Sequence, residues 1–212
     1  MLEEMYDKLN KFRMTETRKK DVSVLHQKEK EFNIHIPDPI YDFYRYYGND
    51  RELLRAFYIF DEMEDICIEN DALTFGYTHE YGGRLGITLE KLNSRFKAIS
   101  WYSSDSGMWF SEGSVFPESF FFNIAGWQIL NTLPAVVRVR INLNVYDKLV
   151  ADYFEYFSDD KIYKKGYKIT AIYHGNVIGC YLREDEELYL AAKEDADLDR
   201  LEKILGLDFD WL

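Results

Sequence analysis

Cysteine is scarce in this chain of 212 residues, and its two copies, Cys67 and Cys180, lie far apart in apolar surroundings. They form neither a CxxC pair nor a metal-spaced cluster, so the sequence supports no disulfide scaffold and no zinc site. Isolated thiols suit a reducing compartment, and we therefore expect a cytoplasmic protein. The sequence also lacks internal repeats, low-complexity tracts and Pro/Gly/Ser-rich linkers. We expect a single domain over residues 1–212.

Long apolar runs and basic residues are also under-represented. No run approaches the ~18–20 apolar residues that a membrane helix needs, and residues 1–10 lack the layout of a secretory signal. Lys and Arg number 26 against 38 Asp and Glu, which gives a formal net charge of -12. This balance disfavours binding to nucleic acid or to an anionic membrane and suits a basic protein partner. Aromatic residues make up 17% of the chain, which is typical of a folded globular protein.

The first third of the chain shows helical patterns. Within residues 1–20, apolar residues at helical spacing predict an additional amphipathic helix; they are Leu2, Met5, Tyr6, Leu9 and Phe12. A charged second helix is predicted from Val22 to Phe32. In Ile36-Pro37-Asp38-Pro39, we expect Asp38 to cap a third helix and Pro39 to occupy its first position. Gly48 would end that helix in the left-handed conformation.

Later segments combine strands with helices. β-branched and aromatic clusters predict strands at residues 57–60, 66–68, 73–78, 84–88, 99–102, 108–110, 168–173, 177–182 and 188–190. Gly82-Gly83 and Gly175-Asn176 are the predicted hairpin turns. Further helices are predicted after Pro117, around Tyr146 and up to Gly206. This order predicts an α+β fold with one mixed or antiparallel sheet covered by helices.

Catalytic motifs are not found in the sequence, which contains no nucleophile elbow, P-loop, dinucleotide-binding turn or zinc-protease motif. Weaker candidates for a functional site have simpler structural explanations. His79-Glu80 lies at a turn, residues 103–107 form a Ser-rich turn, and residues 120–122 form an apolar stripe of the core. Residues 195–206 resemble a calcium loop but lack the Gly and the Glu that such a loop needs. We expect no enzyme activity, no metal and no cofactor, and a melting temperature that a chelator leaves unchanged.

Residues 161–168 interleave four lysines with two tyrosines, a combination that can bind single-stranded nucleic acid. Asp159 and Asp160 precede this segment and the chain is acidic, so we interpret it as a solvated turn and expect no nucleic-acid partner.

Acidic charge is concentrated in two stretches. No Lys or Arg occurs between Arg55 and Arg84, and residues 184–212 contain 11 acids against 3 bases. Such stretches are either solvated faces or docking surfaces that steer a basic partner. Aromatic side chains beside a polar turn could anchor that partner, or could simply pack in the core. The candidate partner-binding residues are Asp61, Glu62, Glu64, Asp65, Glu69, Asp71, Trp101, Tyr102, Asp105 and Trp109.

The segment from Glu31 to Asn49 resembles the opening signature of the SUKH superfamily, with a helix ending in Glu, an Ile-Pro-Asp entry, an aromatic helix and a Gly/Asn stop. Residues 66–75 are similar to the strands that follow in that family, and Phe120 to Trp127 to its later apolar helix. The resemblance implies an α+β binding domain without catalytic residues. Many bacterial members look like immunity proteins that neutralise a toxin, often a nuclease. Others are regulatory or scaffolding proteins, and both of these roles stay open, with a hydrolase of unrecognised site as the third alternative.

Overall fold

A computed structural model of the chain describes residues 2–15, 18–78, 83–94, 97–111, 116–158 and 168–212. The predictions for His79-Glu80, Gly82 and residues 161–167 lie outside the described residues. The described helices are α1 (Leu2–Asn10), α2 (Ser23–Phe32), α3 (Asp38–Tyr47), α4 (Arg51–Leu54), α5 (Leu89–Leu92), α6 (Pro117–Leu130), α7 (Leu143–Asp152) and α8 (Asp195–Leu205). The described strands are β1 (Ile59–Phe60), β2 (Cys67–Glu69), β3 (Ala72–Tyr77), β4 (Arg84–Thr88), β5 (Ser100–Ser103), β6 (Met108–Phe110), β7 (Ala135–Arg140), β8 (Glu155–Tyr156), β9 (Ile169–His174), β10 (Val177–Leu182), β11 (Glu187–Ala192) and β12 (Asp210–Trp211).

These elements form two compact units, and the α+β class is confirmed. The central unit is Thr17–Phe121, and the flanking unit combines Met1–Glu16 with Phe122–Leu212. Each unit holds one six-stranded sheet, and all the described pairings are antiparallel. The expectation of a single sheet is therefore wrong. None of the described helices is both long and apolar enough to cross a membrane.

The central sheet has the order β1-β3-β4-β5-β6, with β2 also paired to β3. β2 and β3 are joined by the two-residue turn Asn70-Asp71, whose φ angles of 48° and 58° match the twist that a tight hairpin requires. One face of the sheet forms a core, because Leu73, Phe75 and Ile87 are fully buried. Phe75 packs against Phe121 with ring centroids 5.1 Å apart.

Helix α3 buries the predicted stripe of aromatic residues, and Phe43 lies 4.6 Å from the Phe60 ring. Its predicted ends are wrong in two respects. The helix begins at Asp38, and the Asp38 side chain does not cap it because Pro37 occupies the capping position. Gly48 has a φ of -63°, which is right-handed, and its N–H donates to Tyr44 O at 2.9 Å. Right-handed backbone here lets the chain run on directly into α4.

The flanking sheet has the order β12-β7-β11-β10-β9-β8. The Gly175-Asn176 hairpin is confirmed, with Val177 opposite His174 and a φ of 54° at Gly175. Gly206 ends α8 in the left-handed conformation, as predicted. Strand β7 was not predicted, although it lies between β11 and β12 in this sheet.

Candidate functional site

One face of the central sheet, here called the outer face, carries polar and aromatic side chains. Thr74 lies opposite Gly86, Arg84 lies opposite Tyr102, and Tyr102 lies opposite Trp109. Residues directly opposite each other on paired strands project to the same side of a sheet. Because side chains alternate along a strand, the apolar neighbours of these residues fill the core on the other side.

Arg84 is the centre of a buried polar cluster on the outer face. Its Nη1 donates to Asp61 Oδ2 at 2.8 Å, and its Nε donates to Glu69 Oε2 at 2.9 Å. Its Nη2 donates to Thr74 Oγ1 at 2.8 Å, and the guanidinium lies 4.4 Å from the centre of the Tyr77 ring. The Arg84 side chain is only 10% exposed. Arg84 was missed in the sequence because its partners lie on three other segments of the chain.

Burial and ion pairing shift the pKa values of this cluster in opposite directions. Burial alone would lower the pKa of Arg84, but Asp61 and Glu69 more than reverse the effect and the pKa is raised. Burial raises the pKa of Asp61, while Arg84 opposes that rise. The direct 2.8 Å contact favours the charged form of both groups, because it is a charge-assisted hydrogen bond.

The cluster changes the interpretation of the acidic stretch. Asp61 is held by Arg84 inside the protein, and Glu69, whose side chain is 47% exposed, pairs with the same guanidinium. Arg84 therefore offsets one of these two negative charges. Glu62 pairs with Arg51 at 2.9 Å on the surface. Glu64 and Asp65 are exposed in the short 3-10 turn Met63–Asp65, and neither they nor the exposed Asp71 has an ion pair within the described part of the chain.

Three of the candidate residues come together around one open cleft. Asp71, Tyr102 and Trp109 line a cleft of about 580 Å³. The rings of Tyr102 and Trp109 are 5.3 Å apart between centroids. The other lining residues are Asn70, Thr88, Leu89, Glu90 and Gly107.

The cleft is held in shape by contacts that use the backbone of the β2–β3 turn. Trp109 Nε1 donates to Asn70 O at 2.7 Å, and Leu89 N donates to Asp71 O at 2.8 Å. A Cβ atom at Gly86 would lie 3.0 Å from Trp109 Cη2, so the indole ring packs on a position that only glycine leaves open. Trp109 is thus fixed from two sides while still lining the cleft.

The remaining aromatic and acidic candidates lie elsewhere. Trp101 is opposite Phe110 and stacks on it with centroids 4.7 Å apart. Its position in β5 puts it on the side of the sheet away from Tyr102. Asp105 is exposed in the turn before Gly107, outside the residues that line the cleft.

The second acidic stretch is partly internal to the flanking unit. Glu187 is 7% exposed and accepts hydrogen bonds from Tyr189 Oη at 2.8 Å and Arg140 Nε at 3.2 Å. Burial would raise the pKa of Glu187, but these bonds and the charge of Arg138 outweigh it and lower the pKa. Glu184 pairs with Lys168 at 3.1 Å. This stretch is therefore not a continuous surface of free charge.

Within the described ranges, no group of three or more His, Cys, Asp or Glu side chains could hold a metal ion. Comparisons of the chain with family models, with curated proteins and with solved structures found no match. The absence of a metal requirement and the SUKH resemblance both stay predictions.

Proposed function

We propose that this chain is a non-catalytic immunity-type protein that binds a basic toxin domain and blocks it with the outer face of the central sheet. The observation that carries the proposal is the convergence of Asp71, Tyr102 and Trp109 on one open cleft. A few well-supported aromatic side chains with charges at the rim are typical of high-affinity protein interfaces. The net charge of -12 and the resemblance to SUKH proteins also support this function.

The Arg84 cluster supports the same function indirectly. It fixes three strands and the Tyr77 ring without leaving a free positive charge on the outer face. A preformed surface loses little conformational entropy on binding, which favours tight association. Glu64, Asp65 and Asp71 then supply the negative charge that attracts a basic partner.

Site-specific crosslinking in the source cells tests this function. The photoreactive amino acid benzoylphenylalanine would replace Ser106, which is exposed and adjoins Gly107 of the cleft. The control site is Ile204 on α8, which is 44% exposed and lies in the flanking unit. We expect a basic polypeptide to be captured at position 106 and not at position 204.

The captured partner would then be purified and its toxic activity titrated with this chain. We expect complete inhibition at a 1:1 ratio, because occlusion is stoichiometric. Identical products at both positions, or an acidic partner, would contradict the proposal. Stoichiometric binding that leaves the partner active would replace it with a regulatory adaptor function.

A further inference from the structure

We infer that the cleft lined by Asp71, Glu90, Tyr102 and Trp109 is a receptor for one arginine side chain of the partner. The inference rests on the proposed function for the source of that arginine. Its basis is the juxtaposition of two carboxylates with two aromatic rings around a single open space.

The cleft is lined by two acidic side chains, Asp71 and Glu90. Asp71 and Glu90 are both exposed, and neither takes part in an ion pair among the residues that the structure describes. No Lys or Arg is among the described lining residues. Lys91, the nearest base in sequence, is directed to Ser100, with Nζ 3.2 Å from its Oγ. Lys91 interacts electrostatically with Glu90 but does not line the cleft, so a cationic group entering the cleft would still meet a net negative charge from Asp71 and Glu90.

The aromatic rings add a second attraction for a cation. A guanidinium over the face of Trp or Tyr within ~6 Å is attracted by the electrons of the ring. The indole N–H of Trp109 is already bonded to Asn70 O, so the orientation of the ring is set before any ligand arrives. Binding then costs little ordering of the Trp109 side chain.

The same outer face already holds one guanidinium in this way. Arg84 lies 4.4 Å from the centre of the Tyr77 ring and donates to the carboxylates of Asp61 and Glu69. The cleft repeats that combination of one or two rings with two carboxylates, but without an arginine of its own. The internal cluster shows that this sheet can pair aromatic and acidic side chains at the spacing that a guanidinium needs.

Arginine fits these groups better than lysine does. A guanidinium is planar, so it can stack on a ring while its edge donates two hydrogen bonds to one carboxylate. Its remaining N–H groups can reach the polar side chains of Asn70 and Thr88 on the same lining. An ammonium group cannot stack and has only three donors.

A titration with N-acetyl-arginine amide, followed by NMR, tests the inference without any partner. The readout is the indole N–H resonance of Trp109, which is identified by its loss in Trp109→Phe. We expect a saturable shift with millimolar affinity, as is usual for so small a ligand. N-acetyl-lysine amide should bind about threefold more weakly, and the neutral N-acetyl-citrulline amide should give no saturable shift.

The matched variants are two charge-neutralised pairs. Asp71→Asn with Glu90→Gln should weaken arginine binding by about fivefold or more, because the carboxylates are lost while the shape is kept. Asn tolerates the positive φ of 58° at position 71, so the turn is preserved. Glu64→Gln with Asp65→Asn makes the same change in net charge outside the cleft, and its affinity should stay within about 1.5-fold of the parent.

Equal shifts with arginine and citrulline, or equal losses in the two pairs, would overturn the inference. So would the absence of a saturable shift. Such a failure together with partner capture at position 106 would leave the proposed function standing with a different contact. Arginine binding without capture of a basic partner would support the cleft and remove the proposed function.

Discussion

The guanidinium of Arg84 donates a 2.8 Å hydrogen bond to the carboxylate of Asp61, and the two side chains are only 10% and 12% exposed. Asp61, the first acid in the stretch between Arg55 and Arg84 that lacks Lys and Arg, is therefore an internal structural group. Its partner Arg84 is the first basic residue after that stretch and lies 23 residues later in the sequence. The pair joins the segment after β1 to the start of β4, so it stabilises the outer face without contributing charge to it.

Removal of Arg84 should be costly, because it leaves Asp61 buried without its counter-ion. We expect Arg84→Met to lower the free energy of unfolding by about 3–5 kcal/mol. The control is Arg51→Met, which breaks the exposed pair with Glu62 and should cost at most about 1 kcal/mol. Urea unfolding followed by circular dichroism measures both changes. Equal costs would show that the Arg84 cluster does not stabilise the central unit.

The entry to α3 should depend on Glu29 and not on Asp38. Glu29 Oε1 accepts from Ile36 N at 2.7 Å and contacts His35 Nδ1 at 2.9 Å, whereas Asp38 makes no capping bond. We expect Glu29→Ala to cost about 2 kcal/mol, because a buried backbone N–H loses a charged acceptor. Asp38→Ala should cost about 0.5 kcal/mol or less, since only its interaction with the helix dipole is lost. Thermal unfolding of both variants measures the difference, and a larger loss for Asp38→Ala would restore the capping interpretation.

This contrast shows which parts of the fold the sequence could predict. The apolar stripe of α3 and the turn at Gly175-Asn176 follow from neighbours in sequence, and both were predicted correctly. The bond from Glu29 spans seven residues, and those of Arg84 span up to 23, so they depend on how segments meet. Local residue patterns alone do not define such contacts between distant segments.

Strand β7 is a different kind of omission, because its signal is local. Ala135, Val137 and Val139 are buried, while the residues between them are partly exposed, which is the alternation of a half-buried strand. The cleft, in contrast, joins a turn, a helix start and two strands that only sheet register brings together.

Glu187 should make stability sensitive to acid. Its pKa is lowered in the folded protein from an ordinary value of 4.5, so the folded state favours the ionised form more than the unfolded state does. Its stabilising contribution is therefore present above pH 4.5 and is lost as pH falls through the lowered pKa. We expect Glu187→Gln to be less stable than the parent at pH 7 and to approach it at pH 3. Urea unfolding across this range measures the gap, and a gap independent of pH would contradict the assignment.

The acidic rim should act on the rate at which the partner arrives. Glu64, Asp65 and Asp71 are exposed and without ion pairs among the described residues, so their field extends into solvent. Exposed charges are screened over ~8 Å at physiological ionic strength. Association with a basic partner should therefore slow as salt rises, while dissociation changes much less.

Reversal of the three acids Glu62, Glu64 and Asp65 to Lys should lower the association rate by about tenfold or more at low salt and leave the fold intact. Asp71 is left unchanged, because its positive φ of 58° disfavours Lys. The control reverses the exposed acids Asp195, Asp199 and Asp208 to Lys, which changes the net charge equally in the flanking unit. Because steering depends on where the charge lies, the control should slow association clearly less. Stopped-flow binding at low and high salt compares the two triple variants with the parent. An association rate that changes neither with salt nor with the reversal at residues 62, 64 and 65 would show that these acids form a solvated face with no role in encounter.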